Sequence, residues 1–300
     1  MFSNSLNQER PAQKAGFFEL APAKINLALH VVGQRADGYH LLETIVTFAD
    51  KGDRLHFEPA EADSFRVSGR FGHLLHPMDA THNLVLRARD RLRQALQDIG
   101  HEAPPVALHL EKNLPVAAGI GGGSADAAAA IRGLLRLWNA ELVEAVLATL
   151  ALSLGADVPM CLKGEPLLAS GIGEEMMPLP TLPSLAMVLG NPLVGVSTPE
   201  IFRRLPNKNN DPIGALDGDC MDLLHRLRND LEPPARVLVP EVEQLSAEIN
   251  AEGALLTRMS GSGATCFGVF LDAEAAEHAA ANLAAKRPGW YFQAVQTIGA

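Results

Sequence analysis

The sequence predicts an α+β protein of two domains. Up to Val67 the pattern is mainly β. From Ser124 a strongly periodic helical run begins. After Gly164 the texture changes, with Pro166, Pro178, Pro180, Pro183 and Pro192 punctuating short apolar runs. A chain of 300 residues is also long for a single core. These observations place a boundary near residue 165, giving domains 1–165 and 166–300.

The elements follow in order. Lys24–Val32 alternates, with Ile25, Leu27, Leu29 and Val31 on one face and Lys24, Asn26, Ala28 and His30 on the other. That is a strand with one core face and one partly polar face. Lys24 and Asn26 then point the same way. After the loop GQRADGYH comes the β-rich run LLETIVTFA, with further short strands at Leu55–Phe57 and Phe65–Val67. Asn83 is placed to cap a helix running to about Ile99, whose apolar stripe is Val85, Ala88, Leu92, Ala95, Leu96 and Ile99. Arg87, Arg89, Arg91 and Arg93 flank the stripe and read as a solvated face. Val106–Leu110 is a strand. In the next helix Ala127, Ala130, Ile131, Leu134, Leu135 and Trp138 recur at helical spacing, with Ser124 expected as N-cap and Asp126 at the positive end of the dipole. A further helix covers Glu141–Leu154 and stops at Gly155. The second half offers strands near 167–170, 185–190, 254–259 and 265–270, and helices near 199–204, 219–229, 240–251 and 273–286. Residues 206–219 read as a flexible loop.

Composition narrows the class. Hydrophobic residues at 47% and charged residues at 20% fit a soluble globular protein. A net charge of −10 argues against a nucleic-acid surface. Cys161, Cys220 and Cys266 form no CxxC or Cys/His cluster, so they read as reduced thiols rather than a zinc site or disulfide framework. The first 16 residues lack an apolar signal core and read as a loose leader. Ala145–Ala156 is too short to span a bilayer, and Leu182–Val196 is broken by Pro183, Asn191 and Pro192. The expectation is a cytoplasmic protein without membrane or nucleic-acid partners, a monomer or homodimer.

The most informative segment is Pro115–Ala128, PVAAGIGGGSADAA. Gly119, Gly121, Gly122 and Gly123 strip side chains from a turn just before a helix. Bare N–H groups at a helix N-terminus bind anions, phosphate above all. Walker A requires a lysine that is missing here. A Rossmann turn follows its strand directly, whereas Lys112–Pro115 intervenes.

The loop, written Pro115-Val116-Ala117-Ala118-Gly119-Ile120-Gly121-Gly122-Gly123-Ser124-Ala125, resembles the phosphate loop of the GHMP kinases, the galactokinase, homoserine kinase, mevalonate kinase and phosphomevalonate kinase superfamily. Ile120 replaces the usual leucine, and Ala125 stands where many members have a second serine. APAKINLALHVVGQRADGYHLLET, LGADVPMCL, ASGIGEEM, NDLEPPA and MSGSGATCFGVF occur in the order of one branch of that family, which acts on a cytidine diphosphate sugar-alcohol.

The resemblance implies a two-domain GHMP kinase fold with its active site in the cleft between domains. It implies ATP with Mg²⁺, the metal held mainly by phosphate oxygens and water, with Ser124 as one contact. Residues 115–125 would hold the ATP phosphates. Asp157, which its position before Pro159 would otherwise make a helix cap, matches the catalytic base. Lys24 matches the active-site lysine that keeps Asp157 ionised. Tyr39 and His40 match a cytosine-reading pair and Phe202 an aromatic on the base's other face. Asn26 and Thr198 match substrate hydrogen-bonding positions. Gly261 and Gly263 match a glycine turn that nears the phosphates from the C-terminal domain. Asn229–Glu232 reads as mainly structural.

Overall fold

A computed structural model describes residues 16–75 and 82–299. The leader expected at the N-terminus lies almost wholly outside them.

Two sheets organise the chain. The first holds β1 (Phe17–Gln34), β2 (His40–Pro59), β3 (Ser64–Ser68), β4 (Val106–Glu111), β5 (Leu167–Gly171) and β6 (Glu175–Pro178). β1 pairs antiparallel along the length of β2. On β2's other edge, β5 takes residues 42–46 and β4 takes 54–59. Only β3 and β4 run parallel in this sheet. The second sheet is antiparallel, in the order β10 (Tyr291–Gln296), β7 (Ala186–Asn191), β9 (Cys266–Phe270), β8 (Leu256–Met259). The expected division at 165 falls just before β5, yet hydrogen bonding carries β5 and β6 into the first sheet. Sheet membership therefore changes after Pro178.

The helices of the first half are α1 (Leu84–Asp98), α2 (Gly122–Trp138), α3 (Glu144–Leu154) and α4 (Val158–Lys163). Asn83 caps α1 as expected, its side chain accepting from the Val85 N–H at 2.9 Å. Ile99 does not continue the stripe; it follows the last turn and is exposed. The arginines of α1 are not one solvated face. Arg93 grips Asp63 with both terminal guanidinium nitrogens and lies over the Trp138 ring, and Arg89 also reaches Asp63. α2 starts earlier than expected. Gly121, in the left-handed region at φ +63°, takes the N-cap, which leaves Ser124 inside the first turn.

The remaining helices are α5 (Thr198–Arg203), α6 (Cys220–Arg226), α7 (Glu232–Leu238), α8 (Glu241–Ala251) and α9 (Ala273–Lys286). β6, α7 and β10 have no counterpart in the sequence reading. Residues 206–219 are irregular but tied to the first sheet: Asn210 N–H donates to Val31 O and Ile213 N–H to Glu43. Cys161 and Cys266 are buried, Cys220 half-buried, and all three are unpaired.

β1 was expected to show one core face and one partly polar face, but it is buried on both. Ala23, Ile25 and Leu27 join Met187, Leu189 and Phe267 of the second sheet in a core between the sheets. On the other side α2 packs its alanines, Ala125 and Ala127–Ala130, into the core of the first half. Lys24, Asn26 and His30 are therefore enclosed rather than solvated.

Within α2, Gly133 faces the Phe57 ring so closely that a Cβ would lie 2.1 Å from it. Helix propensity alone favours Gly133→Ala by about 1 kcal/mol. Overpacking costs roughly 1–3 kcal/mol, and a rigid buried ring cannot withdraw. Guanidinium unfolding of Gly133→Ala is expected to show net destabilisation; a gain in midpoint would mean the Phe57 contact is soft.

Candidate active site

The phosphate-loop segment is seated by backbone on both sides. Lys24 N–H of β1 donates to Ile120 O at 3.0 Å, and Thr265 N–H of the second half donates to Ala118 O at 3.2 Å. Ser260 Oγ donates to Gly119 O at 3.0 Å and accepts from Asn26 N–H at 3.0 Å. Ile120 is fully buried and anchors the loop in the core between the sheets. Ala125 is also buried, so these two residues offer backbone rather than side chain. The first helical bond of α2 runs from Ala125 N–H to Gly121 O. The N–H groups of Gly122, Gly123 and Ser124 precede it and lack helical acceptors, at the positive end of a 17-residue helix.

Glycine is required here by contact as well as by conformation. A Cβ on Gly119, at φ +74°, would lie 2.5 Å from Ser260 O, and one on Gly121 would lie 3.0 Å from Lys24 Cβ. Lys24 thus runs directly beneath the loop. Its ammonium donates to Asn26 Oδ1 at 2.8 Å and pairs with Asp157 Oδ2 at 3.1 Å. Asn26 Nδ2 donates to Thr44 Oγ1, which fixes the carboxamide with its oxygen toward Lys24.

Asp157 occupies the residue before α4, yet its carboxylate makes no capping hydrogen bond. The capping alternative therefore fails. Lys24 is almost enclosed, with 6% of its side chain exposed, while Asp157 shows 41% of its side chain to solvent. The pair is a buried cation holding an open carboxylate.

These groups line a cleft of about 450 Å³ together with Pro115–Gly119, Gly121–Ser124, Thr198, Gly261 and Ser262. Thr198 Oγ1 and Ser262 Oγ share a hydrogen bond at 2.7 Å in its lining. Asn26 stands behind Lys24 rather than on the wall. A second concavity is lined by Tyr39, His40, Phe202, Arg203 and Lys208, and also by Ala156 and Pro199. The two concavities meet at adjacent residues: Asp157 and Thr198 face the first, Ala156 and Pro199 the second. Here His40 stacks on Phe202 with centroids 4.6 Å apart. Tyr39 is largely exposed. Burial, aided by the Lys208 charge, lowers the His40 pKa and keeps the ring neutral. Its buried Nε2 has no hydrogen-bond partner among the described residues.

Sequence reasoning passed over one charged cluster. Lys112 is buried beneath the loop, donating to Asp53 Oδ2 and to Asp126 Oδ2, the latter at 2.6 Å. Asp126 was read only as a helix-dipole residue. The available signal was phase: Lys112 continues the inward positions of Val106, Leu108 and Leu110, and Asp53 those of Leu55 and Phe57. A charge in the inward phase of a strand requires a buried partner.

The comparisons with known proteins give the family. The family model described as GHMP kinases N terminal domain matches residues 83–165, and that described as GHMP kinases C terminal matches 214–288. The chain belongs to the GHMP kinases. As a member of that family it is a small-molecule kinase that uses ATP. It is 63% identical to a 4-diphosphocytidyl-2-C-methyl-D-erythritol kinase of Rhizobium etli, over 96% of this chain and 97% of that one. It is 59% identical to the enzyme of that name from Agrobacterium fabrum, over 93% and 96%. A crystal structure of 4-(cytidine 5'-diphospho)-2C-methyl-D-erythritol kinase superposes with a TM-score of 0.79 at 34% identity, covering 95% of this chain and all of that one. Homoserine kinase from Cytophaga hutchinsonii, at 20% identity and a TM-score of 0.66 over 97% and 100%, shares the fold. Among the described residues of this GHMP kinase, no helix is long and apolar enough to cross a membrane.

The buried triad carries a pH prediction. Asp53 accepts from Lys112 and from the Asn113 and Leu114 N–H groups, whereas Asp126 Oδ1 has no partner among the described residues. Asp126 is therefore the carboxyl that retains a proton: burial, reinforced by Asp53, raises its pKa from the ordinary 3.8 to about 8 despite Lys112. A raised folded-state pKa gives stability that is full below the unfolded value and is lost as pH rises through the folded one. The stability of Asp126→Asn relative to wild type is thus expected to climb between about pH 4 and pH 8. Denaturant titrations across that range check it, and a pH-independent difference would contradict a protonated Asp126.

Proposed function

We propose that this GHMP kinase transfers the γ-phosphoryl group of ATP to the 2-hydroxyl of 4-diphosphocytidyl-2-C-methyl-D-erythritol, a step of the non-mevalonate isoprenoid precursor pathway. One observation carries the reading: the Lys24–Asp157 pair lies where a phosphate-loop cleft meets an aromatic concavity. A kinase for a cytidine diphosphate alcohol needs two nucleotide sites that converge on one hydroxyl. The named relatives support the choice of substrate.

Phosphoryl transfer demands positioning and charge stabilisation more than covalent chemistry from the protein. The free N–H groups of Gly122–Ser124 and the dipole of α2 would hold the ATP phosphates. Asp157 would accept the proton of the substrate hydroxyl. Lys24 would keep that carboxylate charged and stabilise the forming alkoxide. Its enclosure makes the effect stronger than at a surface, because water screens it less. The Asn26 carboxamide, oriented by Thr44, holds the ammonium in place. Thr198 would hydrogen-bond the substrate at the joint. Mg²⁺ bound with ATP would neutralise phosphate charge. Ser124 and Asp157 put oxygen donors on the cleft wall, a set that suits a metal bound mostly by phosphate and water.

In the aromatic concavity, Tyr39 and Phe202 offer ring faces to cytosine. The neutral His40, which also lines it, offers a ring edge. Lys208 would face the diphosphate charge.

ADP release with ATP, Mg²⁺ and the cytidine substrate tests the assignment. Turnover is expected there and not with homoserine or mevalonate; the reverse pattern would sink it. Asp157→Asn is expected to abolish transfer while ADP still binds, and near-normal turnover would remove Asp157 from the base role. His40→Ala is expected to raise KM for the cytidine substrate roughly tenfold, the worth of one lost hydrogen bond to the base. KM for ATP should stay near its wild-type value. Equal changes in both would contradict a cytosine-reading role.

A further inference from the structure

We propose that Asn229 is a positioning residue for phosphoryl transfer, setting the height of the turn Ser260–Gly263 over the phosphate loop. The inference rests on the kinase reading above.

The side chain of Asn229 is buried and fully employed. Nδ2 donates to Met259 O at 2.7 Å and to Gly261 O at 2.8 Å, while Oδ1 accepts from Leu231 N–H at 2.9 Å. Both amide hydrogens therefore end on the backbone leading into and through the glycine turn. The segment that carries Asn229 is itself fixed to the strand that carries Lys24 and Asn26. Leu29 N–H donates to Arg228 O, Asp230 N–H donates to Leu29 O, and Asp230 Oδ2 accepts from Val31 N–H at 2.8 Å. Glu232 adds a bond from Met259 N–H. Asn229 thus connects β1 to the turn through two hydrogen bonds from one carboxamide.

The turn needs such an external support. Gly261 and Gly263 have no side chains to pack, and both lie at positive φ. Yet the position of the turn is critical. It presses against the phosphate loop, with a Cβ on Gly261 falling 2.9 Å from Gly119 O and one on Gly119 falling 2.7 Å from Gly263 N. Gly261 and Ser262 line the same cleft as Gly121–Ser124, and Ser262 bonds Thr198 at the joint. A displacement of the turn would change both the width of the phosphate site and the place of Thr198. A shift of about 1 Å in a positioning element can cost about 10²-fold in rate.

The chemistry selects asparagine. Aspartate has the same shape and keeps the acceptor for Leu231, but it turns an oxygen toward two carbonyl oxygens. The test compares wild type, Asn229→Asp and Asn229→Ala. Calorimetry with ADP–Mg²⁺ and with CDP is read alongside steady-state kinetics. CDP probes the aromatic concavity, which Asn229 does not touch. The expected result in both variants is a fall of about 10²-fold in kcat/KM for ATP, with weakened ADP binding and CDP affinity within about twofold of wild type. Equal losses for ADP and CDP, or wild-type behaviour of Asn229→Asp, would overturn the proposal. So would failure of both variants to fold, because Asn229 would then serve general stability. Should Asn229→Ala alone unfold, the isosteric Asn229→Asp carries the same comparison. A wild-type chain that binds neither nucleotide would sink the kinase reading together with this inference. A wild type that binds both, with unaffected variants, would sink only the role of Asn229.

Discussion

The contact on which the site depends is backbone against backbone, where Gly119 of the phosphate loop meets Ser260 and Gly263 of the opposing turn. No side chain fits between them. The approach brings together two segments more than a hundred residues apart in the chain, and it needs the core between the sheets to hold them there. Ile120 and Leu114 sink into that core on one side, Met187 and Phe267 on the other. The glycines make the contact sterically allowed. The apolar residues around them supply the force, since burial of apolar surface is the main favourable term in folding.

From that seat the electrostatics follow. The protein carries a net charge of −10 and handles highly anionic nucleotides. It meets the conflict locally. At the cleft it places the N-terminus of α2 and two nearly enclosed lysines, Lys24 and Lys112, each tied to aspartate. The two lysines serve differently. Lys112 is locked between Asp53 and Asp126 and fixes the base of the loop. Lys24 spends one bond on Asn26 and one on a carboxylate that remains open to solvent, so its charge is felt where a substrate would stand. Remote acidic surface acts through a screened, high-dielectric path, whereas these groups act at contact distance.

Much of the local structure was legible in the residues. Asn83 announced its cap, the alternation of β1 and β4 was plain, and the alanine-rich period of α2 gave the helix that carries the loop. What was hidden has physical reasons. β10 and β6 are short strands whose pairing partners lie far away in sequence, so their stability is tertiary. Ser124 looked like the cap because its hydroxyl suits that post; Gly121 took it because the left-handed turn and the contact with Lys24 leave no room for a side chain. The arginines of α1 read as solvated because nothing local reveals that Asp63 and Trp138 lie beside them.

By itself the sequence determined the glycine turn that leads into α2, because that signal is a contiguous run; Asp157, Tyr39 and His40 were singled out only by their match to a family pattern. Only the tertiary structure decided that Asp157 is free of capping, that Lys24 is enclosed and aimed at it, and that the two concavities share a border at residues 156–157 and 198–199. Those facts depend on which strand lies beneath which loop. That arrangement is set by burial of both faces of β1, and no window along the chain contains both of its neighbours.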